Sequence, residues 1–172
     1  LEKVYNAASS KAGGGIKGRM FAWSAKQARA YSLASEKTFG PGPFKKIRHG
    51  IADALVLKKI RSILGPNLRY IVSGGAPLAT DLAHFYAGMG ITLIQGYGLS
   101  ETTGPIAVQH IGKNPVGGVG LPLPGNFIKI AKDGEILVRG QSVMPGYYHL
   151  PEQTAEVMPD CKWFHTGDLG SI

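Results

Sequence analysis

The spacing of the apolar residues changes once along this chain, at Gly65-Pro66. Before that point they recur every three or four positions: Leu1, Val4, Tyr5 and Ala8; Phe21, Ala25, Ala28 and Tyr31; Ile47, Ile51, Leu55, Ile60, Ile63 and Leu64. This period places each set on one face of a helix, so the spacing predicts three helices within residues 1–64. Gly13-Gly14-Gly15 and Phe39-Gly40-Pro41-Gly42-Pro43 break the pattern and separate them. Beyond Pro66 the runs shorten. Leu68 to Ser73 reads as a strand, Leu78 to Met89 as a helix and Ile91 to Gln95 as a second strand. That order predicts a βαβ unit with parallel strands and a right-handed crossover. Later, Phe127 to Lys132 and Glu135 to Arg139 flank Asp133-Gly134, a two-residue hairpin signal. Pro151 opens a short helix through Val157. The expected fold is α/β: helices plus a parallel βαβ sheet portion, followed by a small antiparallel β subdomain, with the division at residues 1–104 and 105–172.

Charge narrows the partners. The net +8 is uneven, since residues 1–70 hold 14 Lys and Arg against 3 Asp and Glu, and residues 71–172 hold 5 against 8. Lys45, Lys46, Arg48, Lys58, Lys59 and Arg61 fall within the helical patterns. A solvated helix face is the plainest reading of them; an anionic membrane surface or a phosphorylated cofactor comes next. Nucleic acid is not expected, because few aromatics are interleaved with the basic residues. The single cysteine, Cys161, precludes an internal disulfide framework and fits a reducing compartment. It reads as a packed or surface thiol. The sequence has no apolar run of bilayer-spanning length and no leader pattern at its start, so it predicts a cytoplasmic protein. Leu1 begins inside a helical pattern and Ile172 stops inside a strand, which suggests that both ends were cut from a longer chain.

Two loops are expected at the carboxyl ends of the βαβ strands, where open α/β sheets bind ligands. In the first, Gly74, Gly75 and Ala76 leave a slot in which backbone can approach a planar ring. In the second, Gly96 and Gly98 flank Tyr97, whose ring could stack on that plane. Ser100 and Thr102 or Thr103 add hydroxyls, and Glu101 adds one carboxylate. A lone carboxylate together with phosphate oxygens and waters is a usual Mg²⁺ arrangement. A helix-capping turn at Ser100 explains the same residues without a ligand. Asp168, after Thr166-Gly167, could accept from both hydroxyls of a ribose or merely cap a turn. Other motifs fail on spacing. The glycines at 96 and 98, and those at 118 and 120, lack the third glycine of a dinucleotide fingerprint. Gly98 to Thr102 misses the nucleophile elbow by its last residue. A Ser100, His110 or His165, Asp168 triad lacks supporting turn chemistry.

Four ordered motifs carry a resemblance. They are Ser73-Gly74-Gly75-Ala76-Pro77-Leu78; Gln95-Gly96-Tyr97-Gly98-Leu99-Ser100-Glu101-Thr102; Gly134-Glu135-Ile136-Leu137-Val138-Arg139-Gly140 with Met144-Pro145-Gly146-Tyr147-Tyr148; and Trp163 to Gly170. In this order they resemble the AMP-forming acyl-CoA synthetases, with the first 64 residues similar to the long-chain fatty-acid CoA ligase branch. The resemblance implies ATP, Mg²⁺ and coenzyme A as reactants and a long-chain fatty acid as substrate. It further implies that Gly74, Gly75 and Ala76 border the adenine and acyl pockets. Gln95, Gly96, Tyr97, Gly98 and Ser100 would line adenine and α-phosphate, with Ser100 and Glu101 at the reacting centre. Glu101 would bind the metal, and Asp168 the ribose. The family's phosphate loop and lysine-bearing carboxyl-terminal domain are not in this sequence, so the expectation is a nearly inactive fragment. A binding module without turnover, and a ligase acting on acyl carrier protein, remain open. Leu82, Phe85 and Met89 share one helix face, which would either line an acyl tunnel or pack as core.

Overall fold

The computed structural model describes residues 1–65, 67–111, 116–160 and 162–172. Cys161 and Pro66 lie outside the described residues. The chain divides into two compact units, Leu1–Ile94 with Ile111–Gly118, and Gln95–His110 with Val119–Ile172.

The first unit is built on helices α1 (Glu2–Ala12), α2 (Gly15–Ser35), α3 (Pro43–Ala52) and α4 (Lys58–Leu64). The third helical run expected from the sequence is interrupted by a π-helical turn, Asp53–Leu57, between α3 and α4. A π turn inserts residues into the helical register. Ala52, Leu57 and Ile60 are all buried around it. The Arg61 guanidinium grips the Asp53 carboxylate across this turn, with Nη2 donating to Oδ2 at 2.9 Å, and Nη1 also donates to the Met89 carbonyl at 2.7 Å. The Arg61 hydrogen bond holds the Asp53 carboxyl below the usual carboxylate range.

Strand β1 (Tyr70–Ser73), helix α5 (Thr80–Gly88) and strand β2 (Thr92–Leu99) follow in the expected order, with β1 and β2 neighbours in the sheet. Helix α5 packs on α2. Leu82, Phe85 and Met89 are buried with Phe21, Ala25 and Ala28, so the shared face is core. Tyr5 meets Phe85 edge-on, with ring centroids 4.9 Å apart. Gly88 lets the two helices touch, because a Cβ there would stand 2.0 Å from the Ala28 carbonyl oxygen.

The second unit takes up the rest of β2 with β3 (Gly104–Val108) and β4 (Leu121–Pro122), and a three-stranded sheet of β5 (Asn126–Ile130), β6 (Glu135–Gly140) and β7 (Phe164–Leu169). The pairs β2–β3, β3–β4, β5–β6 and β6–β7 are all antiparallel. The β5–β6 hairpin forms as expected, with Phe127 opposite Arg139 and Ile130 opposite Ile136. Its turn is longer than two residues: the Ala131 N–H donates to the Glu135 carbonyl, and Gly134 takes φ 91°. Helix α6 (Pro151–Val157) begins at its proline. Strand β2 runs on through Gly96, Tyr97 and Gly98, which the sequence placed in a loop. Glycine reads as a breaker, but here Gly98 admits β3, since a Cβ would lie 2.0 Å from the Gly104 carbonyl oxygen.

The helix contact makes a prediction with its own control. Gly88→Ala should cost about 3 kcal/mol through overpacking against α2. Gly50→Ala, on α3 with nothing near its Cβ, should stabilise by about 1 kcal/mol. Urea denaturation of both variants beside the parent chain measures the contrast, and equal midpoints would refute the close approach.

Candidate functional site

The β2–β3 hairpin ends in a 3₁₀ turn, Ser100–Thr102, with Leu99 paired to Gly104. Thr102 shapes that turn. Its side chain is fully buried, and its hydroxyl accepts from the Leu99 N–H at 2.9 Å while facing the Gly104 and Leu99 carbonyls at 2.8 and 3.0 Å. Thr103 then enters the left-handed region at φ 56°, and its hydroxyl donates to the Ser142 carbonyl at 2.8 Å. The hydroxyls of Thr102 and Thr103, read from the sequence as ligand groups, are therefore spent within the protein. Ser100 is exposed.

Glu101 is half-buried and doubly tied. Its carbonyl accepts from the Met144 N–H at 2.7 Å, and its carboxylate accepts from the Tyr147 hydroxyl at 3.0 Å. That bond pushes the Tyr147 phenol above its ordinary value. It engages Oε1 of Glu101. Among the described residues no three His, Cys, Asp or Glu groups gather as a metal site. A cation at Glu101 would therefore depend on substrate oxygens and water, which is the chemistry of Mg²⁺ on a nucleotide.

Tyr97 and Asp168, 71 residues apart, come together in the second unit. The Tyr97 hydroxyl donates to Asp168 Oδ2 at 2.7 Å. Burial first, and then the Asp168 carboxylate against an opposing bond from Thr166, leaves the phenol pushed up to about 12. Asp168 itself is exposed. Gly96 differs from Gly98, because a Cβ at Gly96 would meet its nearest neighbour at an ordinary 3.5 Å. The protein's own packing does not require glycine there. Gln95 is buried, and its N–H donates to the Gln109 side-chain oxygen at 2.9 Å. Gly74, Gly75 and Ala76 form an exposed loop of the first unit, with Gly75 at φ 77°. His165 Nδ1 lies 2.7 Å from Glu135 Oε2. The sequence reading assigned no role to Tyr147, Glu135 or Thr166, although all three lie in or beside the quoted motifs.

A family model described as AMP-binding enzyme matches residues 20–148. The chain belongs to this family. Over all 172 residues it is 47% identical to the long-chain-fatty-acid–CoA ligase FadD15 of Mycobacterium bovis, of which it spans 28%. It is 35% identical over 145 residues to the long-chain-fatty-acid–CoA ligase 5 of Rattus norvegicus, in a match covering 74% of this chain and 21% of that one. The crystal structure of the N-terminal domain of FACL13 from Mycobacterium tuberculosis matches with TM-score 0.56 and 27% identity, covering 70% of this chain and 34% of that chain. The chain thus spans about a quarter of the length of these curated ligases.

Within the second unit the turn at Thr102 is the point to break. Thr102→Val keeps the volume but strands the Leu99 N–H, and should cost about 1–3 kcal/mol. Thermal unfolding of the variant measures the loss; an unchanged midpoint would show that the hydroxyl does not hold the turn.

Proposed function

We propose that this chain forms the adenylate-binding part of an ATP-dependent long-chain fatty-acid CoA ligase. The observation that carries the reading is the Tyr97–Asp168 hydrogen bond. A ring that can stack on a base and a carboxylate that can accept ribose hydroxyls stand side by side. Gly96 leaves open backbone beside that ring. Ser100 presents its hydroxyl toward the α-phosphate, and Gln95 and Gly98 shape the strand beneath.

In the reaction, a fatty carboxylate attacks the α-phosphorus of ATP, forming the acyl-adenylate and releasing pyrophosphate. The thiol of coenzyme A then attacks the acyl carbonyl and AMP leaves. Mg²⁺, when bound, offsets the phosphate charge. This chain's share is orientation: Tyr97 and Asp168 fix the nucleoside, and Glu101, held by Tyr147, offers its carboxylate to the cation. The identity with long-chain ligases supports the fatty-acid substrate and coenzyme A over acyl carrier protein.

Calorimetric titration with a non-hydrolysable long-chain acyl-adenylate analogue tests this reading. Asp168→Ala should weaken binding roughly tenfold or more, about 1.4 kcal/mol. Equal affinity for parent and variant would sink the ribose assignment.

A specific surface supports a second role for the helices. Phe44, Ile47, Ile51 and Leu55 are exposed along α3 and the π turn, and Lys45, Lys46, Arg48, Lys58 and Lys59 surround them in sequence. No helix among the described residues is long and apolar enough to cross a membrane. This stripe instead suits peripheral contact with an anionic, cytoplasmic-facing lipid surface, apolar side chains entering the interface and lysines meeting phosphates. Co-sedimentation should show retention on phosphatidylglycerol vesicles but not on phosphatidylcholine. Lys58→Glu with Lys59→Glu should weaken retention about tenfold or more, at roughly 1 kcal/mol per basic residue. Equal retention on neutral vesicles would exclude the electrostatic part.

A further inference from the structure

Strand β7 does not pair regularly with β6. Glu135 stands opposite Leu169 and Leu137 opposite His165, so Thr166, Gly167 and Asp168 together face Ile136 alone. Extra residues of this kind bulge from the ladder, and their backbone groups lose the partners a regular strand would give them. Two of their N–H groups are satisfied by side chains instead. The Gly167 N–H donates to Glu135 Oε1 at 2.8 Å, and the Asp168 N–H donates to the Thr166 hydroxyl at 3.1 Å. The Thr166 hydroxyl in turn donates to the Ile136 carbonyl at 2.8 Å. The second Glu135 oxygen, Oε2, lies 2.7 Å from His165 Nδ1.

One carboxylate thus spans the bulge, taking a ring nitrogen at its start and a backbone N–H at its crest. Gly167 sits at φ 74°, a conformation that an L side chain would resist. Asp168 follows at once and turns to Tyr97. Glu135 is largely covered, with its side chain 18% exposed, whereas Asp168 is open to a ligand.

We propose that Glu135 is a positioning residue for the ribose carboxylate: by bracing the bulge of β7 it sets Asp168 against Tyr97. The inference rests on the adenylate reading, which makes Asp168 a ribose ligand. Glu135 bonds to His165 and Gly167 and acts on Tyr97 through the turn that it holds. The charge-assisted bond to Gly167 is of the stronger kind, so its loss should let the turn relax.

The test has one readout that needs no ligand. In ring-labelled protein, the Tyr97 phenol is followed by NMR from pH 8 to 13. Burial, and with it the hydrogen bond that the phenol donates to Asp168, pushes it up to about 12. Glu135→Ala should lower that titration as far as Asp168→Ala does. Glu135→Gln keeps an oxygen for the Gly167 N–H and should stay near the parent. An unmoved Tyr97 in Glu135→Ala overturns the brace. Should that variant not fold, Glu135→Asp, one methylene short of spanning both partners, must show the same fall or the proposal is overturned.

The second readout compares AMP with 2′,3′-dideoxy-AMP by calorimetry. The parent chain should prefer the ribonucleotide roughly tenfold, and Glu135→Ala should lose that preference while binding the dideoxy compound as before. A preference intact in Glu135→Ala overturns the proposal. A parent chain with no preference overturns the adenylate reading, and the ribose role of Glu135 falls with it. A Tyr97 shift shared by Glu135→Ala and Asp168→Ala would then identify that reading, and not the brace, as what failed.

Discussion

A single buried hydroxyl closes the turn that joins β2 to β3. Thr102 has no exposed surface, and its oxygen sits among the Leu99 N–H, the Leu99 carbonyl and the Gly104 carbonyl. These groups belong to the two strand ends that the turn must join. A buried hydroxyl that satisfies both ends costs little, while the same turn without it would strand backbone groups away from water. With the turn closed, Ser100 and Glu101 are held at its tip. The Glu101 carbonyl then fixes Met144, and its carboxylate meets Tyr147. Short-range geometry at one residue thereby orders a loop more than 40 residues away in sequence.

The second unit repeats this device with a charged group. The antiparallel sheet of β5, β6 and β7 is regular between β5 and β6 and irregular between β6 and β7. Glu135 occupies the irregularity. Regular strands present alternate residues to opposite faces, which suits a sheet but not a ligand. A bulge breaks the alternation and re-aims a side chain. Asp168 reaches Tyr97 from such a break, and the Tyr97 ring comes from a strand whose own register slips between Tyr97 and Gly98. Both partners of the central hydrogen bond thus stand where pairing departs from regularity.

The helical unit depends on size more than on hydrogen bonding. Gly88 and Ala28 allow α5 to lie against α2, and the aromatic cluster of Tyr5, Phe21 and Phe85 fills the space beside that contact. Arg61 then joins the π turn to the end of α5 through Asp53 and the Met89 carbonyl. The bond is partly exposed, so its contribution is modest and is lost as pH falls below the usual carboxylate range, since the folded-state carboxyl is held low.

The sequence by itself determined the helical first part, the order of β1, α5 and β2, the β5–β6 hairpin, the start of α6 and the motifs that mark the family. Each of these depends on neighbours within a few residues, where period, proline and glycine act directly. It could not separate the two glycines of β2, because only the packed strand distinguishes Gly98, which must admit β3, from Gly96, which need not. Nor could it choose between core and tunnel for Leu82, Phe85 and Met89, since an apolar helix face is the same in sequence whichever surface it meets. The tertiary structure decided these points. It alone paired Tyr97 with Asp168, Glu101 with Tyr147 and Glu135 with Gly167, because side-chain hydrogen bonds between distant residues depend on strand register, which no local pattern encodes.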